Sequence, residues 1–363
     1  MKDCRCVLSL TCIAISLALP IPFGTAAITP SSPASYGKVA VVAQSGGDYT
    51  DPLTAMNNLS GADGWCGTPS ESNPCLLKIM PGIYDIGSQT LFMQPYVDIE
   101  GSGENTTVIT GSGDNASLPP GTAVVQGAGD SEIRSLTIKT SGAGCAVGVL
   151  TIGMYAPKIT DATIVASSGT GECNCGIYNN YSSPTITNVT ISTSGPANSN
   201  YGIQNRFASP SLTNVTASAS GGSYNYGVYS ETSSPVMTAV TAVASGEEGS
   251  CNYGVYNISG APVMMAVSAR ATGGSSQDVY NYDISTSSSV HFVGNLEIEG
   301  EVKASSFAGN GLGISELNAS NITSGTIDPA RLPAGQGTGD ITGVSAGTGL
   351  TGGGSNGEVT LSI

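Results

Sequence analysis

The chain is 363 residues long, carries a formal net charge of −15, and has 50 glycines but only 10% charged residues. An acidic surface with so few lysines and arginines repels phosphate backbones and anionic lipid headgroups, which argues against nucleic-acid binding and against adhesion to a negative membrane surface. Much glycine with little charge suits turn-rich β structure and suits a helical protein poorly.

In chain order, Lys2 and Arg5 make a positive start, Val7 to Leu19 is an apolar run, and Pro20, Pro22 and Gly24 break it before Thr25-Ala26-Ala27. That is the pattern of a secretory signal, so residues 1–27 are expected to be removed on export. The apolar run is too short to span a bilayer, and no later stretch approaches the roughly 18 apolar residues a span needs. Loss of Lys2, Arg5 and Asp3 removes a net +1 and leaves −16 on the mature chain. The expected location is secreted or at the cell surface, with no membrane span in the mature chain.

Residues 28–37 are a Pro/Ser-rich lead-in. An opening unit follows: Lys38 to Val42 as a strand, Gly46 to Tyr49 as a turn and Pro52 to Leu59 as a short helix. Leu76 to Met80 and Tyr96 to Ile99 read as further strands, and the latter leads to Thr107-Val108-Ile109-Thr110-Gly111. Six cysteines remain after the signal: Cys66, Cys75, Cys145, Cys173, Cys175 and Cys251. An even count in an oxidising compartment predicts disulfides. Cys66 and Cys75 are placed to close the loop between them.

The middle of the chain repeats. It reads GIYNNYSSPTITNVTIS from Gly176, GIQNRFASPSLTNVTAS from Gly202, GVYSETSSPVMTAVTAV from Gly227 and GVYNISGAPVMMAVSAR from Gly254. Pro157, Pro184, Pro210, Pro235 and Pro262 follow at steps of 27, 26, 25 and 27. A fixed period of this length, built from short β-type runs, means units that bury their apolar side only by stacking, hence a solenoid. Alternation points Ile186, Val189 and Ile191 inward and Thr187 and Thr190 outward. The step from Ile186 to Val189 breaks the alternation at Asn188, a residue that tolerates left-handed geometry. Asp161 and Asn214 repeat that slot, whereas Ala239 and Ala266 depart from it, so the later coils are expected to turn differently. Asn174, Asn200, Asn225 and Asn252, each two before the glycine, are expected to form an amide ladder. Cys145 and Cys173 fill one slot of adjacent coils, at a strand spacing of about 4.8 Å that a disulfide tolerates. Cys251 holds the same slot three coils further on, too far to bridge to Cys173. Cys173-x-Cys175 lacks nearby third and fourth ligands for a metal, so no metal or other cofactor is expected.

Three phrases, GGDYTDPLTAMNNL, IMPGIYDI and VDIEGSGENTTVITG, resemble the start of the pectin-lyase-like right-handed β-helix proteins, at the pectin methylesterase and polysaccharide lyase end of that superfamily. The repeat itself resembles the Ile-Tyr-Asn…Ser-Pro-x-Ile-x-Asn-Val-x-Ile pattern of secreted β-helix repeat proteins. The resemblance implies an all-β fold: a right-handed, single-stranded parallel β-helix of about eight coils over residues 38–286, with the short helix capping its apolar end. From about Ser287 the character changes. LEIEGEVKASSFAGNGLGISELNASNITSGTIDPARLP and GDITGVSAGTGLTGGGSNGEVTLSI resemble the shaft and linker modules of phage tail fibres and related trimeric surface fibres. The apolar content of 287–363 is too small for a core of its own, so this extension is either disordered or ordered by association; the resemblance implies that it orders as a homotrimer.

The β-helix superfamily includes enzymes that cut or de-esterify anionic polysaccharides, so their motifs were sought on this chain. The methylesterase pattern requires a Gln-Asp pair, a second aspartate on the adjacent coil and an arginine. Gln277-Asp278 is the sole such pair and has no matching arginine and aspartate. The galacturonase pattern requires His-Gly and Arg-x-Lys, yet the single histidine, His291, precedes Phe292 and no Arg-x-Lys occurs. Asp161, Arg134 and Lys158 are the nearest acid–base grouping, and no catalytic residue is assigned. Tyr178, Tyr229, Tyr256 and Tyr280 follow the inward Ile/Val, and Tyr201, Tyr226 and Tyr253 precede the glycine. Alternation turns both columns outward, where rings could stack on sugars or on one another. The expected function is a non-catalytic structural or adhesive protein with glycan contact along the solenoid, its partner a polysaccharide or cell-surface glycan. The alternative is a pectin-type esterase or lyase.

Overall fold

Alternation and one bent residue per turn shape every coil. Ile186, Val189 and Ile191 are all buried to 1% exposure or less, while Thr185 and Thr190 face solvent. Between them Asn188 takes φ 54°, which bends the strand Thr185–Ser194 without ending its hydrogen-bonded ladder. In this computed structural model the described residues are 36–61, 63–115, 122–140, 142, 144–167, 171–282, 291–293, 343–354 and 359–363. The expected signal, nearly all of the lead-in and most of 287–363 lie outside them.

Among the described residues the fold is an all-β parallel solenoid of about seven turns with almost no helix, against the eight or so coils expected. Two sheets run its length. The first stacks Lys38–Val42, Cys75–Ile79, Val97–Glu100, Glu132–Thr140, Lys158–Ser167, Thr185–Ser194 and Ser211–Ser220, then continues through Val236–Thr238 and Val263–Met265 to His291–Val293. The second stacks Cys145–Ile152, Cys173–Asn180, Ser199–Arg206, Tyr224–Glu231, Cys251–Ile258 and Ser275–Tyr282. The core lies between them, lined by Ile138, Ile164, Ile191 and Ala217 from the first sheet and Val149, Ile177, Ile203, Val228 and Val255 from the second. The opening strands fall within a residue or two of expectation. The short helix is Pro52–Asn57, its N-terminal amide on Thr54 held by Asp51. Ala55 and Met56 enter the core, and the Trp65 Nε1 donates to the Ala55 carbonyl at 2.8 Å.

The recurring glycine has a steric cause. A Cβ at Gly176 would overlap Ile191 Cγ2 and come within 2.7 Å of the Gly202 carbonyl oxygen. At Gly227 a Cβ would meet Gly254 O at 2.6 Å and Val243 N at 2.8 Å. Only glycine lets the second sheet approach the first this closely.

Buried amides tie the turns together. Asn174 Nδ2 donates to Asn200 Oδ1 at 2.7 Å, Asn200 to Asn225 at 3.1 Å and Asn225 to Asn252 at 2.8 Å, and all four residues are fully buried. A second buried ladder, which the repeat pattern did not suggest, runs Thr151 to Asn179 to Asn205 to Ser230. On the outside, Asn214 donates to Asn188 and Asn188 to Asp161, each at 2.9 Å.

Ala239 and Ala266 correct the expectation that later coils turn differently. Both hold φ near 50°, the same bend as Asn188 and Asn214. Stacking on the preceding turn imposes the conformation even on a residue that disfavours it by about 1–2 kcal/mol. Cys66 and Cys75 are joined, Cα atoms 6.1 Å apart, and Cys145 and Cys173 are joined across adjacent turns at 4.4 Å. Cys175 is the free thiol among the described residues, and burial pushes its pKa up.

The chain divides into two units, Met1–Glu297 and Ile298–Ile363. In the second unit Val344–Ser345, Thr351–Gly354 and Leu361–Ser362 form a small antiparallel sheet, with Leu350, Leu361 and Ile363 exposed.

Two substitutions check this account by urea denaturation. Asn200→Ala takes one hydrogen bond from each of the buried Asn174 and Asn225 and removes the donor to the Gly195 and Ser220 carbonyls, and should cost about 3 kcal/mol. Ala239→Asn relieves a left-handed alanine and extends the outer amide row from Asn214, and should stabilise by about 1 kcal/mol.

Candidate functional site

The densest charge cluster sits on the outward face of the first sheet, near the N-terminal end. Ile99 pairs with Ile133 and points inward, so Asp98, Glu100, Glu132 and Arg134 all turn outward. Lys78 pairs in register with Glu100, and Tyr36 reaches in from just before the first strand. Arg134 Nη2 donates to Glu100 Oε2 at 2.6 Å and to Tyr36 Oη at 2.9 Å. Its Nη1 donates to Glu132 Oε2 at 2.9 Å and lies 3.4 Å from Asp98 Oδ2. Lys78 Nζ donates to Glu100 Oε1 at 2.7 Å, and Tyr36 donates to Asp98 Oδ2 at 2.7 Å.

Burial alone would raise the Glu100 carboxyl pKa, but hydrogen bonds from Lys78 and Arg134 outweigh it and hold the group below its usual value. Burial alone would also lower Arg134, and the hydrogen bonds with Tyr36 and Glu100 reverse that. Partial burial and its hydrogen bond to Asp98 push Tyr36 up to about 12. A general acid needs a carboxyl with a raised pKa and an oxygen free for substrate. Here both Glu100 oxygens are engaged and the group is held ionised, so the arrangement ties strands together electrostatically. A cleft alongside is lined by Asp98, Asp130, Ser131, Glu132, Ala156 and Lys158.

The grouping of Asp161, Arg134 and Lys158 is corrected by this geometry. Arg134 is taken up by Asp98, Glu100 and Glu132. Lys158 lines the cleft, while Asp161 sits at the outer bend with φ 48° and accepts from Asn188.

The tyrosines occupy two neighbouring columns of the second sheet. Tyr201, Tyr226 and Tyr253 stack face to face at 5.0 and 5.3 Å, with interplanar angles of 5° and 9°. Tyr229, Tyr256 and Tyr280 stack likewise at 5.3 and 4.7 Å. Edge contacts lock the columns together, among them Tyr226–Tyr229 at 5.1 Å and Tyr253–Tyr256 at 4.7 Å. Stacked rings turn their faces to one another and present edges to the outside. Tyr226 and Tyr253 are only 5% and 7% exposed, and burial pushes the Tyr229 hydroxyl pKa up. Tyr178 keeps the outward slot, with Gln204 between it and the array in register, but it is not accessible there: it is fully buried in a separate cluster with Cys145, Val147, Leu150, Cys173 and Cys175. Parallel strands about 4.8 Å apart bring like rings into contact, and the burial gained is worth more than leaving them wet.

A third feature lies at the outer bend, at a slot the repeat pattern does not mark. Tyr181 and Phe207, each three residues before its repeat proline, stack at 4.7 Å and 7° while remaining 57% and 44% exposed. The signal was the aligned slot, which holds Thr232 and Ser259 in the next two turns. In the charge cluster the i, i+2 spacing of Asp98/Glu100 and Glu132/Arg134 marked a shared face. Their pairing was hidden by the irregular loops between them.

No protein-family model matches the chain, and no curated protein matches it. Among solved structures it is similar to pectin methylesterase PemA from Erwinia chrysanthemi, at 11% identity over 74% of this chain and 92% of that one, with a TM-score of 0.38. Similar values hold for pectin methylesterase from carrot (12%, 73% and 91%, TM-score 0.36) and from Yersinia enterocolitica (10%, 69% and 93%, TM-score 0.38). These likenesses carry no activity or substrate over to this chain.

The Glu100 tie sets an acid limit. With its folded pKa lowered, its contribution to stability is complete above the ordinary value of 4.5 and is lost as pH falls through the folded value. Urea midpoints should therefore fall on acidification below about pH 4.5. Glu100→Gln should lower the midpoint at neutral pH and flatten that acid dependence.

Proposed function

We propose that the chain is an exported, surface-displayed right-handed β-helix with a structural and adhesive role, which contacts glycans along its outward surface without turning them over. The observation that carries this reading is the saturation of the charge cluster. Its arginine is bound by carboxylates on every side, and Glu100 is held ionised rather than poised to donate a proton. The repetitive outer face supports it too, since adhesion needs recurring contacts rather than one converged site. In this reading the helix Pro52–Asn57 caps the apolar end, consistent with Ala55 and Met56 entering the core. Residues 287–363 form a trimerising fibre, and the exposed Leu350, Leu361 and Ile363 are apolar surface that association would bury. Export is supported by the disulfides Cys66–Cys75 and Cys145–Cys173, and no helix among the described residues is long and apolar enough to cross a membrane.

The test is incubation of the purified chain with immobilised pectic, other acidic and neutral polysaccharides. Retention is expected, with no released reducing ends, unsaturated ends or methanol. Turnover of any polymer would replace this reading with the esterase or lyase alternative. The chain should elute as a trimer; a monomer would remove the avidity on which weak repeated contacts depend.

A further inference from the structure

We infer that Tyr181 and Phe207 form a stacking ledge for the apolar face of an uncharged sugar. This rests on the glycan-contact reading above and names both the contact point and the class of glycan. The six stacked tyrosines of the second sheet spend their faces on one another, so they offer a sugar little but ring edges. Tyr181 and Phe207 also stack on each other, but they form a pair only two rings deep at the outer bend, roughly half exposed, so each ring keeps one face that its partner does not cover.

The backbone there is strained for such residues. Tyr181 and Phe207 hold φ values of 54° and 51°, and a bulky side chain in the left-handed region is an outlier that costs about 1–2 kcal/mol. The equivalent bends are made by Gly153, Thr232 and Ser259. The bend itself is imposed by the solenoid, since the β-branched Thr232 holds it too; what sets this corner apart is that folding needs no aromatic ring there, yet two stand exposed. On the preceding turn Gly153 has no side chain to cover Tyr181. Tyr155, 56% exposed, lies beside Gly153.

Polar partners flank the ledge. Ser183 Oγ accepts from Ser209 N at 2.9 Å, and Ser209 Oγ accepts from Ser234 N at 3.0 Å. Ser183 and Ser209 are exposed, and a hydroxyl that accepts one bond keeps a hydrogen to donate. Aromatic faces beside hydroxyl donors suit a pyranose, whose C–H face is apolar and whose rim is polar. Charge selects among sugars. The neighbouring cation, Arg206, lies 2.9 Å from Glu231 through its Nε, which neutralises the corner, and the whole chain carries −15. A polyuronate would meet that net negative charge, and the exposed cation one turn away, Lys158, stands with Asp98, Asp130 and Glu132 in the adjoining cleft, so the ledge fits a neutral glycan.

The double variant Tyr181→Asn with Phe207→Asn tests this, because asparagine accepts the left-handed bend. Retention of wild-type and variant full chains is measured on immobilised β-1,4-galactan, fully methyl-esterified pectin and polygalacturonate, with thermal unfolding as the fold control. Wild type should be retained on a neutral polymer and not on polygalacturonate. The variant should lose roughly tenfold in affinity, the loss of about 1.4 kcal/mol of contact, with an unfolding midpoint no lower than wild type. Phe207→Tyr should keep wild-type retention. Unchanged retention of the double variant, or wild-type binding confined to polygalacturonate, would overturn the ledge while leaving glycan contact standing. No retention of wild type on any polymer would overturn both. A lowered midpoint in the double variant together with lost retention by Phe207→Tyr would show the pair to be structural only.

Discussion

The buried amide ladder from Asn174 to Asn252 is the constraint on which the rest of the solenoid depends. Each amide must find its partner on the next turn, because an unpaired buried amide costs more than most single packing contacts contribute. That requirement holds each turn to nearly the same length and the same register. The glycine two positions on is the steric counterpart: it brings the second sheet close enough to the first for the amides to lie inside. Together they explain why the period varies by only one or two residues while the loops vary freely in sequence.

Fixed register has a consequence for the surface. A side chain in a given slot meets the same slot above and below at about 4.8 Å, whatever its chemistry. Cysteines in such a slot become a disulfide across turns, asparagines become an outer row, and tyrosines become a stacked array. The repeat thus converts residues that look like a row of binding groups into groups that bind one another. Exposed aromatic surface is left where a column is interrupted, as at the bend of Tyr181 and Phe207 beside Gly153.

The charge cluster around Arg134 arises differently. Tyr36 and Arg134 are 98 residues apart, and the strands that carry Lys78, Glu100 and Arg134 belong to irregular opening turns outside the clean repeat. With Asp98, Glu100, Glu132 and Tyr36 around one guanidinium, the energy of the cluster goes into holding three turns in register. A solvated pair would contribute little, but a shared, partly buried arginine binds the opening turns to the regular ones.

The architecture was legible from residue spacing alone. Proline steps, the glycine column and the Asn174 slot each report a periodic backbone requirement, and such requirements write themselves into sequence at a fixed interval. The inward set Ile186, Val189 and Ile191, the bend at Asn188 and the Cys145–Cys173 pairing follow from alternation plus that interval. What spacing could not decide was anything that depends on which groups meet across irregular loops or on how crowded an outward face becomes. Ala239 and Ala266 bend like asparagine because the turn beneath them does, which no local preference reveals. Tyr178 is buried and Tyr181 exposed although both are tyrosines three residues apart. Arg134 finds its partners among Asp98, Glu100 and Glu132 rather than Asp161. Periodicity is a local property repeated along the chain, and one sequence carries it in full. Exposure, charge pairing and strain are properties of neighbours in space, and only the tertiary structure supplies those neighbours.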